Sequence, residues 1–254
     1  MRKYFWFSVN YLRDRIQSTI SKNPWYYITG SEPISINSLM SPLRYDIVIR
    51  IDYFKFLEAN FHLFQHDFQQ YTVEAMQHPY FTWFTEIVCR RFFPSLLNNK
   101  ENLIFAFKNR LRKSTELYLQ FQKMGFDSQN PITLHSGEVI LPTSTGKRIN
   151  MRYYAGDGCH RIALLKLAGY EYLPDETYRI RCFCKLSPID NTYLLIRPLS
   201  IDRRNYFRFL SCGYSDKSFK SKELLVEHVR NNDPMKLNEL KSIIEKDEQA
   251  LTDT

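Results

Sequence analysis

Residues 153–169, with the sequence YYAGDGCHRIALLKLAG, contain the end of a predicted strand, a glycine-rich turn and a predicted helix. Gly156 and Gly158 suit a backbone that turns sharply or lies close to a ligand. The apolar residues that follow predict the helix, which Gly169 is suited to end. Four side chains with functional chemistry stand where this helix should begin: Asp157, Cys159, His160 and Arg161.

The start of this helix suits an anion. The first N–H groups of a helix have no partner within it and carry a partial positive charge. Arg161 adds a planar set of donors, and His160 adds a donor whose protonation changes near neutral pH. We therefore expect a phosphate here. The alternative is an ordinary turn, in which Asp157 caps the helix, Cys159 fills space, and His160 and Arg161 are surface charges.

The composition indicates a folded protein with anionic partners. The chain has 254 residues, of which 15% are aromatic, and disordered chains lack so much apolar surface. Its net charge of +8 favours nucleic acid, nucleotides, acidic lipids or phosphorylated sugars as partners. The basic residues are scattered, and clusters such as the one at residues 108–113 also suit a solvated surface.

The sequence predicts a cytoplasmic protein. Its five cysteines form no regular framework, which favours a reducing compartment. No signal peptide is expected, because Arg13 and Asp14 interrupt the first apolar run. No window approaches the roughly 18 apolar residues of a transmembrane helix. Residues 2–21 instead predict a basic amphipathic helix, which could contact an anionic membrane surface or cover the protein's own core.

The patterns along the chain predict an α+β protein in four parts. Residues 1–40 hold the amphipathic helix and a loop. Residues 41–128 form a helical region, with Ser41-Pro42 as the start of its first long helix. Residues 129–190 form a small mixed sheet with helices, and residues 191–254 form a mostly helical tail.

Individual elements are predicted from local signals. Strands are expected, in order, at residues 132–134, 139–141, 151–155 and 178–185. The turns between the first three are placed at residues 135–137 and 144–147. Long helices are expected at residues 102–125, 221–229 and 234–245, and a loop at residues 30–42.

The order of these elements resembles the ParB/sulfiredoxin superfamily. In that family a helix that ends in glycine is followed by Pro-Ile-Val-Val, a hairpin and a turn of the type Asp-Gly-x-His-Arg. The matching segments here are residues 121–125, 131–134 and 157–161, with Ala163 in the helix. The resemblance covers about residues 115–185, and the hairpin is lengthened here by residues 142–149. The flanking regions are similar to a branch associated with bacterial surface-polysaccharide biosynthesis.

This resemblance implies a nucleotide site. The phosphates of ATP or another nucleotide would be held by Gly156, Gly158, Cys159, His160 and Arg161. Asp157 would bind Mg²⁺ or orient the acceptor hydroxyl. Catalytic roles would fall to Asp157, His160 and Cys159. The expected function is an ATP-dependent phosphotransferase that acts on a small hydroxylated acceptor, such as a sugar of a surface glycan.

Two other functions are consistent with the sequence. The superfamily includes nucleotide-dependent DNA-binding proteins, and the positive charge suits DNA, although the acidic residues 245–253 do not. Sulfiredoxins carry Gly-Cys-His-Arg, in which the cysteine attacks a sulfinyl phosphate, so Cys159 is a candidate reactive thiol.

The general base of a phosphotransferase is not located by the sequence. The candidates are Glu138, Glu116 and Asp46. Arg44 and Asp46 could reach a shared pocket from the helical region.

Overall fold

The computed structural model describes residues 25–28, 33–143, 146–183, 186 and 188–252, with the backbone alone for residues 138–151. The amphipathic helix predicted over residues 2–21 lies outside these ranges. Within them the chain is α+β, as predicted: a helical region, one four-stranded mixed sheet and a helical tail. No described helix is long and apolar enough to cross a membrane.

The sheet has the strand order β1-β4-β2-β3. Its strands are β1 (Trp25–Ile28), β2 (Ile132–Thr143), β3 (Gly146–Asp157) and β4 (Tyr178–Phe183). β2 and β4 are parallel, whereas the other neighbouring pairs are antiparallel. Since Asp157 pairs with Thr133, the end of β3 lies beside the start of β2.

The turn predicted at residues 135–137 is wrong, because β2 is continuous there. Ser136 and Gly137 pair with β3 on one side and with β4 on the other. Pairing on both sides of a central strand outweighs a local preference for a turn. A Cβ atom at Gly137 would lie 2.5 Å from Cβ of Leu186, so close packing explains this glycine.

Seven helices precede β2 in the described chain: α1 (Ile36–Met40), α2 (Tyr45–Ala59), α3 (Phe61–His66), α4 (Phe68–Gln77), α5 (Pro79–Trp83), α6 (Arg90–Phe92) and α7 (Lys100–Met124). A π-helical turn, Phe84–Cys89, joins α5 to α6, and a 3-10 turn, Pro94–Asn98, joins α6 to α7. The predicted long helix is confirmed by α7, and Gly125 ends it with a φ of 72°.

The start of the helical region differs from the prediction. The expected loop at residues 30–42 contains α1, and α2 begins at Tyr45 rather than at Ser41-Pro42. Ser41 ends α1 instead, and its hydroxyl donates to the carbonyl of Leu210 at 2.9 Å. This hydroxyl is therefore used in a contact with the tail and cannot cap a following helix.

The remaining helices are α8 (Cys159–Leu167), α9 (Thr192–Ile196), α10 (Arg203–Ser211), α11 (Lys222–Asn232) and α12 (Leu237–Thr252). Ser221 caps α11, as predicted. The last helix begins after a 3-10 turn, Pro234–Lys236, and continues seven residues beyond the predicted end at residue 245.

One hydrophobic cluster connects the helical region to the sheet. Its buried members include Ile47 and Phe54 of α2, Phe107 of α7, Ile132 of β2 and Ile162 of α8. A second cluster lies largely in the tail and includes Ile196, Leu225 and Leu240. Because α8 packs against α2, the turn before α8 is next to the helical region.

Candidate functional site

The glycine-rich turn joins β3 to α8 with two different uses of glycine. Gly158 has a φ of 86°, a backbone conformation that residues other than glycine rarely adopt. It is the N-cap of α8. Gly156 lies where the register between β2 and β3 shifts. A Cβ atom there would lie 2.4 Å from Nε2 of His135, so close packing requires this glycine.

No side chain caps α8, so its first N–H groups have no side-chain acceptor. The alternative in which Asp157 caps the helix is wrong. Its Oδ1 atom accepts from the N–H of Gly158 at 2.6 Å, and Gly158 is the N-cap instead. Asp157 is exposed, whereas Gly158 and Cys159 are buried. The phosphate site expected from the sequence therefore stays a prediction.

Cys159 is buried and contacts an arginine that sequence spacing did not assign to it. Arg44 NH2 donates to Cys159 Sγ at 2.8 Å, and Arg44 NH1 donates to the carbonyl of Ala155. These contacts connect the start of α2 to the end of β3 and to α8. Arg44 therefore does reach the turn from the helical region, as expected.

Asp46 is fully buried between two guanidinium groups. Arg44 donates to both of its oxygens, at 2.8 and 3.0 Å, and Arg50 NH1 donates to Oδ2. The two arginines outweigh burial and hold the pKa of Asp46 well below its ordinary value. Asp46 is therefore a charged group that holds Arg44 and Arg50 in place, and it is not available as a general base.

His160 lies in an aromatic environment, so it is not the surface charge of the ordinary-turn alternative. Its ring is enclosed by the rings of Phe54, Tyr80 and Trp83, at centroid distances of 6.0, 5.9 and 5.8 Å. The Tyr80 hydroxyl is hydrogen-bonded to His160 Nε2 at 2.7 Å. Burial, and then Arg50, lowers the pKa of His160 well below its ordinary value, so the ring is neutral.

The network behind His160 ends in a serine. Tyr80 Oη lies 2.8 Å from Ser114 Oγ, and the Tyr80 ring stacks on Tyr53 at 3.9 Å. Within the described residues, His160 Nδ1 makes no hydrogen bond. One ring nitrogen is thus held by the Tyr80 hydroxyl, and the other has no partner in the described part of the chain.

Arg161 is half-buried beside the turn. Its NH2 atom lies 3.2 Å from the position that a Cβ atom of Gly158 would occupy, so the guanidinium lies next to the turn. Its NH1 atom is buried and has no hydrogen-bond partner in the described part of the chain. Burial lowers the pKa of Arg161 from its ordinary value, and Asp157 opposes this shift. A buried donor without an acceptor is costly, by about 1–3 kcal/mol.

Three further residues of the site were not identified from the sequence: Arg50, Trp83 and Arg110. The guanidinium carbon of Arg50 lies 4.0 Å from the centre of the Trp83 ring, and that of Arg110 lies 5.9 Å from it. Arg50 Nε and Trp83 Nε1 are buried and have no partner among the described residues. Both atoms are donors, and both lie in the helical region that faces α8.

A signal for two of these residues was present in the sequence. Arg50 lies in the apolar stripe of α2 with Ile47 and Phe54, at spacings of three and four residues. Arg110 follows Phe107 by three residues and precedes Ser114 by four, along the buried face of α7. A cation within a buried stripe needs a partner, which distinguishes it from the solvated basic residues around it.

The other proposed acids do not complete the site. The side chain of Glu138 lies outside the described part, and Glu116 is exposed beside an open depression of about 370 Å³ lined by Phe64 and Phe68. The described residues contain no group of three or more His, Cys, Asp or Glu side chains suited to a metal. Asp157 is left as a single exposed carboxylate, which fits Mg²⁺ held mainly by phosphates.

Four arginines surround the start of α8, and only part of their charge is balanced. Asp46 pairs with Arg44 and Arg50, whereas Arg110 has no ion pair within the described ranges.

No family model, curated protein or solved structure matches the chain. The function is therefore inferred from the chemistry of these side chains.

Proposed function

We propose that the chain binds a nucleotide with its phosphates at the turn Gly156–Arg161 and transfers a phosphoryl group from ATP to a small hydroxylated acceptor. The observation that carries this proposal is the buried, unpartnered NH1 atom of Arg161 beside an uncapped helix start. Backbone amides, a helix dipole and a guanidinium all favour a phosphate at the same place.

Each residue of the turn has a defined role in this proposal. Gly158 supplies the left-handed conformation that begins α8, and the first amides of α8 and Arg161 stabilise the negative charge. Mg²⁺, held by Asp157 and the phosphates, would neutralise further charge when bound. His160 is neutral and fixed through Nε2, so it positions the helix start and supplies at most a neutral hydrogen bond.

The transfer step requires a proton acceptor. The acceptor oxygen bonds to the terminal phosphorus while the bond from that phosphorus to the bridging oxygen breaks, and ADP leaves. The proton of the hydroxyl passes to water, since Asp46 is bound to two arginines and Asp157 is assigned to Mg²⁺. Transfer of this kind depends mainly on positioning and charge stabilisation, which the arginines and the helix start provide.

The substitution Arg161→Gln tests the nucleotide site. It removes the charge and keeps a similar chain length, so nucleotide affinity should fall by roughly tenfold or more. Isothermal titration with ATP, CTP and ADP in the presence of Mg²⁺ would measure this change. Arg112→Gln is the matched control, because it removes the same charge from an exposed arginine on α7, away from the turn. Equal affinities of the wild type and Arg161→Gln would contradict the assignment.

A further inference from the structure

The phosphate-binding turn does not use all the unpaired donors near α8. Arg50 is 5% exposed and Trp83 is 2% exposed, yet Arg50 Nε and Trp83 Nε1 have no acceptor in the described part of the protein. Two orphaned donors in the same buried contact are uncommon, because folded proteins pair nearly all such atoms. Both atoms lack an acceptor, so the missing partner is an acceptor and not a cation.

The positions of the surrounding groups converge on one place. Trp83 is in contact with Arg50, and Arg110 and the ring of His160 are both within 6 Å of the Trp83 ring centre. Arg50 comes from α2, Trp83 from α5 and Arg110 from α7, and His160 closes the group from α8. Side chains from three elements that are distant in sequence thus lie around the ring of Trp83.

The charge at this place is positive even after internal pairing. Asp46 is the buried carboxylate next to Arg50, and it also serves Arg44. Arg110 is half-buried and forms no ion pair with a described residue. One guanidinium charge therefore has no carboxylate of its own, and an incoming oxyanion would supply the counter-charge.

Arg110 gives this group of residues its contact with solvent, because it is half-buried while Arg50 and Trp83 lie deeper. The ring of His160 lies among the rings of Phe54, Tyr80 and Trp83. A neutral His160 that accepts at Nε2 from the Tyr80 hydroxyl carries its proton on Nδ1. That N–H would be a further donor to a bound anion.

We propose that Arg50, Trp83 and Arg110, with His160, form a second oxyanion site that holds a carboxylate or phosphate group of the acceptor. The proposal rests on the function proposed above, and it makes the acceptor an anionic hydroxy compound, such as a hydroxy acid or a sugar phosphate. The anionic group binds in the helical region, and the hydroxyl faces the phosphates at the turn. Bidentate recognition by arginine suits either kind of oxyanion.

The test uses inorganic phosphate and acetate as probes of the full-length protein. Trp83→Phe removes the indole N–H and keeps an aromatic ring, and Arg110→Gln removes a charge that has no ion pair. Calorimetric titrations would be made with and without a saturating, non-hydrolysable ATP analogue. With the turn occupied, the wild type and Arg161→Gln should still bind one oxyanion, and both helical-region variants should bind it roughly tenfold more weakly or worse.

The two probes distinguish the sources of the oxyanion. Stronger binding of phosphate would assign the site to a phosphorylated acceptor, and stronger binding of acetate to a hydroxy acid. Arg112→Gln serves as the matched surface variant on the same helix, and a thermal melt of each variant verifies folding. Loss of all residual oxyanion binding when the analogue is present would overturn the second site, as would unchanged affinity in both Trp83→Phe and Arg110→Gln.

Failure of this proposal is distinguishable from failure of the nucleotide site. Arg161→Gln weakens the turn but keeps the amides at the start of α8, so phosphate binding to the second site is identified by its further loss in the double variants Arg161→Gln/Trp83→Phe and Arg161→Gln/Arg110→Gln. A nucleotide affinity that falls equally in Trp83→Phe, Arg110→Gln and Arg161→Gln would mean one extended phosphate site, and it would refute an acceptor site.

Discussion

Two buried aspartates in this protein have opposite electrostatic environments. Asp46 is 0% exposed and Asp247 is 1% exposed, so burial alone would raise the pKa of both. Asp46 is bound to Arg44 and Arg50, which lower its pKa well below the ordinary value. Asp247 accepts from the Tyr206 hydroxyl at 2.6 Å, and burial raises its pKa to about 7. The partners, and not the degree of burial, decide the charge.

This difference separates the site from the tail. Asp46 holds two arginines of the site in fixed positions, and its charge is needed for that role. Asp247 belongs to the tail, where its Oδ1 atom has no partner and Asp190 raises its pKa further. The first carboxylate is part of a buried ion-pair network, and the second is a group whose ionisation opposes folding near neutral pH.

The largest expected effect is that of Asp46→Asn. It leaves Arg44 and Arg50 buried without their counter-charge, so unfolding should require about 3–5 kcal/mol less. Urea denaturation at pH 7 would measure the loss. Asp52→Asn is the control on the same helix, because Asp52 is exposed and lies 3.8 Å from Lys55, a surface pair of little energetic value. If Asp46→Asn lowered the free energy of unfolding as little as the control does, the ion pairs of Asp46 would not stabilise the fold.

Acid should remove the same contribution from the wild type. The pKa of Asp46 is depressed in the folded state, so its contribution is complete above the unfolded value of 3.8 and is lost as the pH falls below it. Melting temperatures of the wild type and Asp46→Asn, measured from pH 7 to pH 3, should therefore draw closer to each other below about pH 4. Parallel curves would contradict the sign of this shift.

Asp247→Asn should have a smaller effect of the opposite sign. The folded-state pKa is raised to about 7 from 3.8, so the protein loses stability as the pH rises between these values. The neutral variant avoids this loss and should be more stable than the wild type by on the order of 2 kcal/mol at pH 8. The difference should vanish below about pH 3, where Asp247 is protonated in both states. Urea denaturation at the two pH values would show it, and a destabilised variant at pH 8 would refute the raised pKa.

The smallest effect is expected for Tyr206→Phe. The Tyr206 hydroxyl donates to Asp247 and lowers its pKa in part, so its removal should leave the start of the pH-dependent decline in stability near 3.8 and move the end of this decline to higher pH. The loss of one hydrogen bond should cost about 1 kcal/mol at pH 5. A pH series of melting temperatures would locate the decline, and a shift to lower pH would contradict the proposed role of the hydroxyl.

The sequence predicted the elements of the turn better than the residues around it. Gly158, the helix after it and Gly169 follow from local conformational preferences, which single-sequence patterns report well. The strand through residues 135–137 was missed, because its pairing with β3 and β4 depends on residues far along the chain. Local turn preference could not reveal that Gly137 packs against Leu186.

The same limit applies to the site. Cys159, His160 and Arg161 are consecutive, yet they face three different surroundings: Arg44, an aromatic enclosure and the neighbourhood of Asp157. Helical geometry sends successive side chains in different directions, so adjacency in sequence did not show which of them share a ligand. The acids and cations that complete the site come from α2 and α7, and only the fold brings them together.

Arg44 has a consequence for how this protein can change through recombination. Its guanidinium joins Asp46, the carbonyl of Ala155 and the thiol of Cys159, which belong to two parts of the chain. A segment of residues 129–190 moved into another protein would carry the turn and leave behind the cation beneath it. A recombinant protein would therefore keep these contacts only if it received the segment with Arg44 together with the segment that contains the turn.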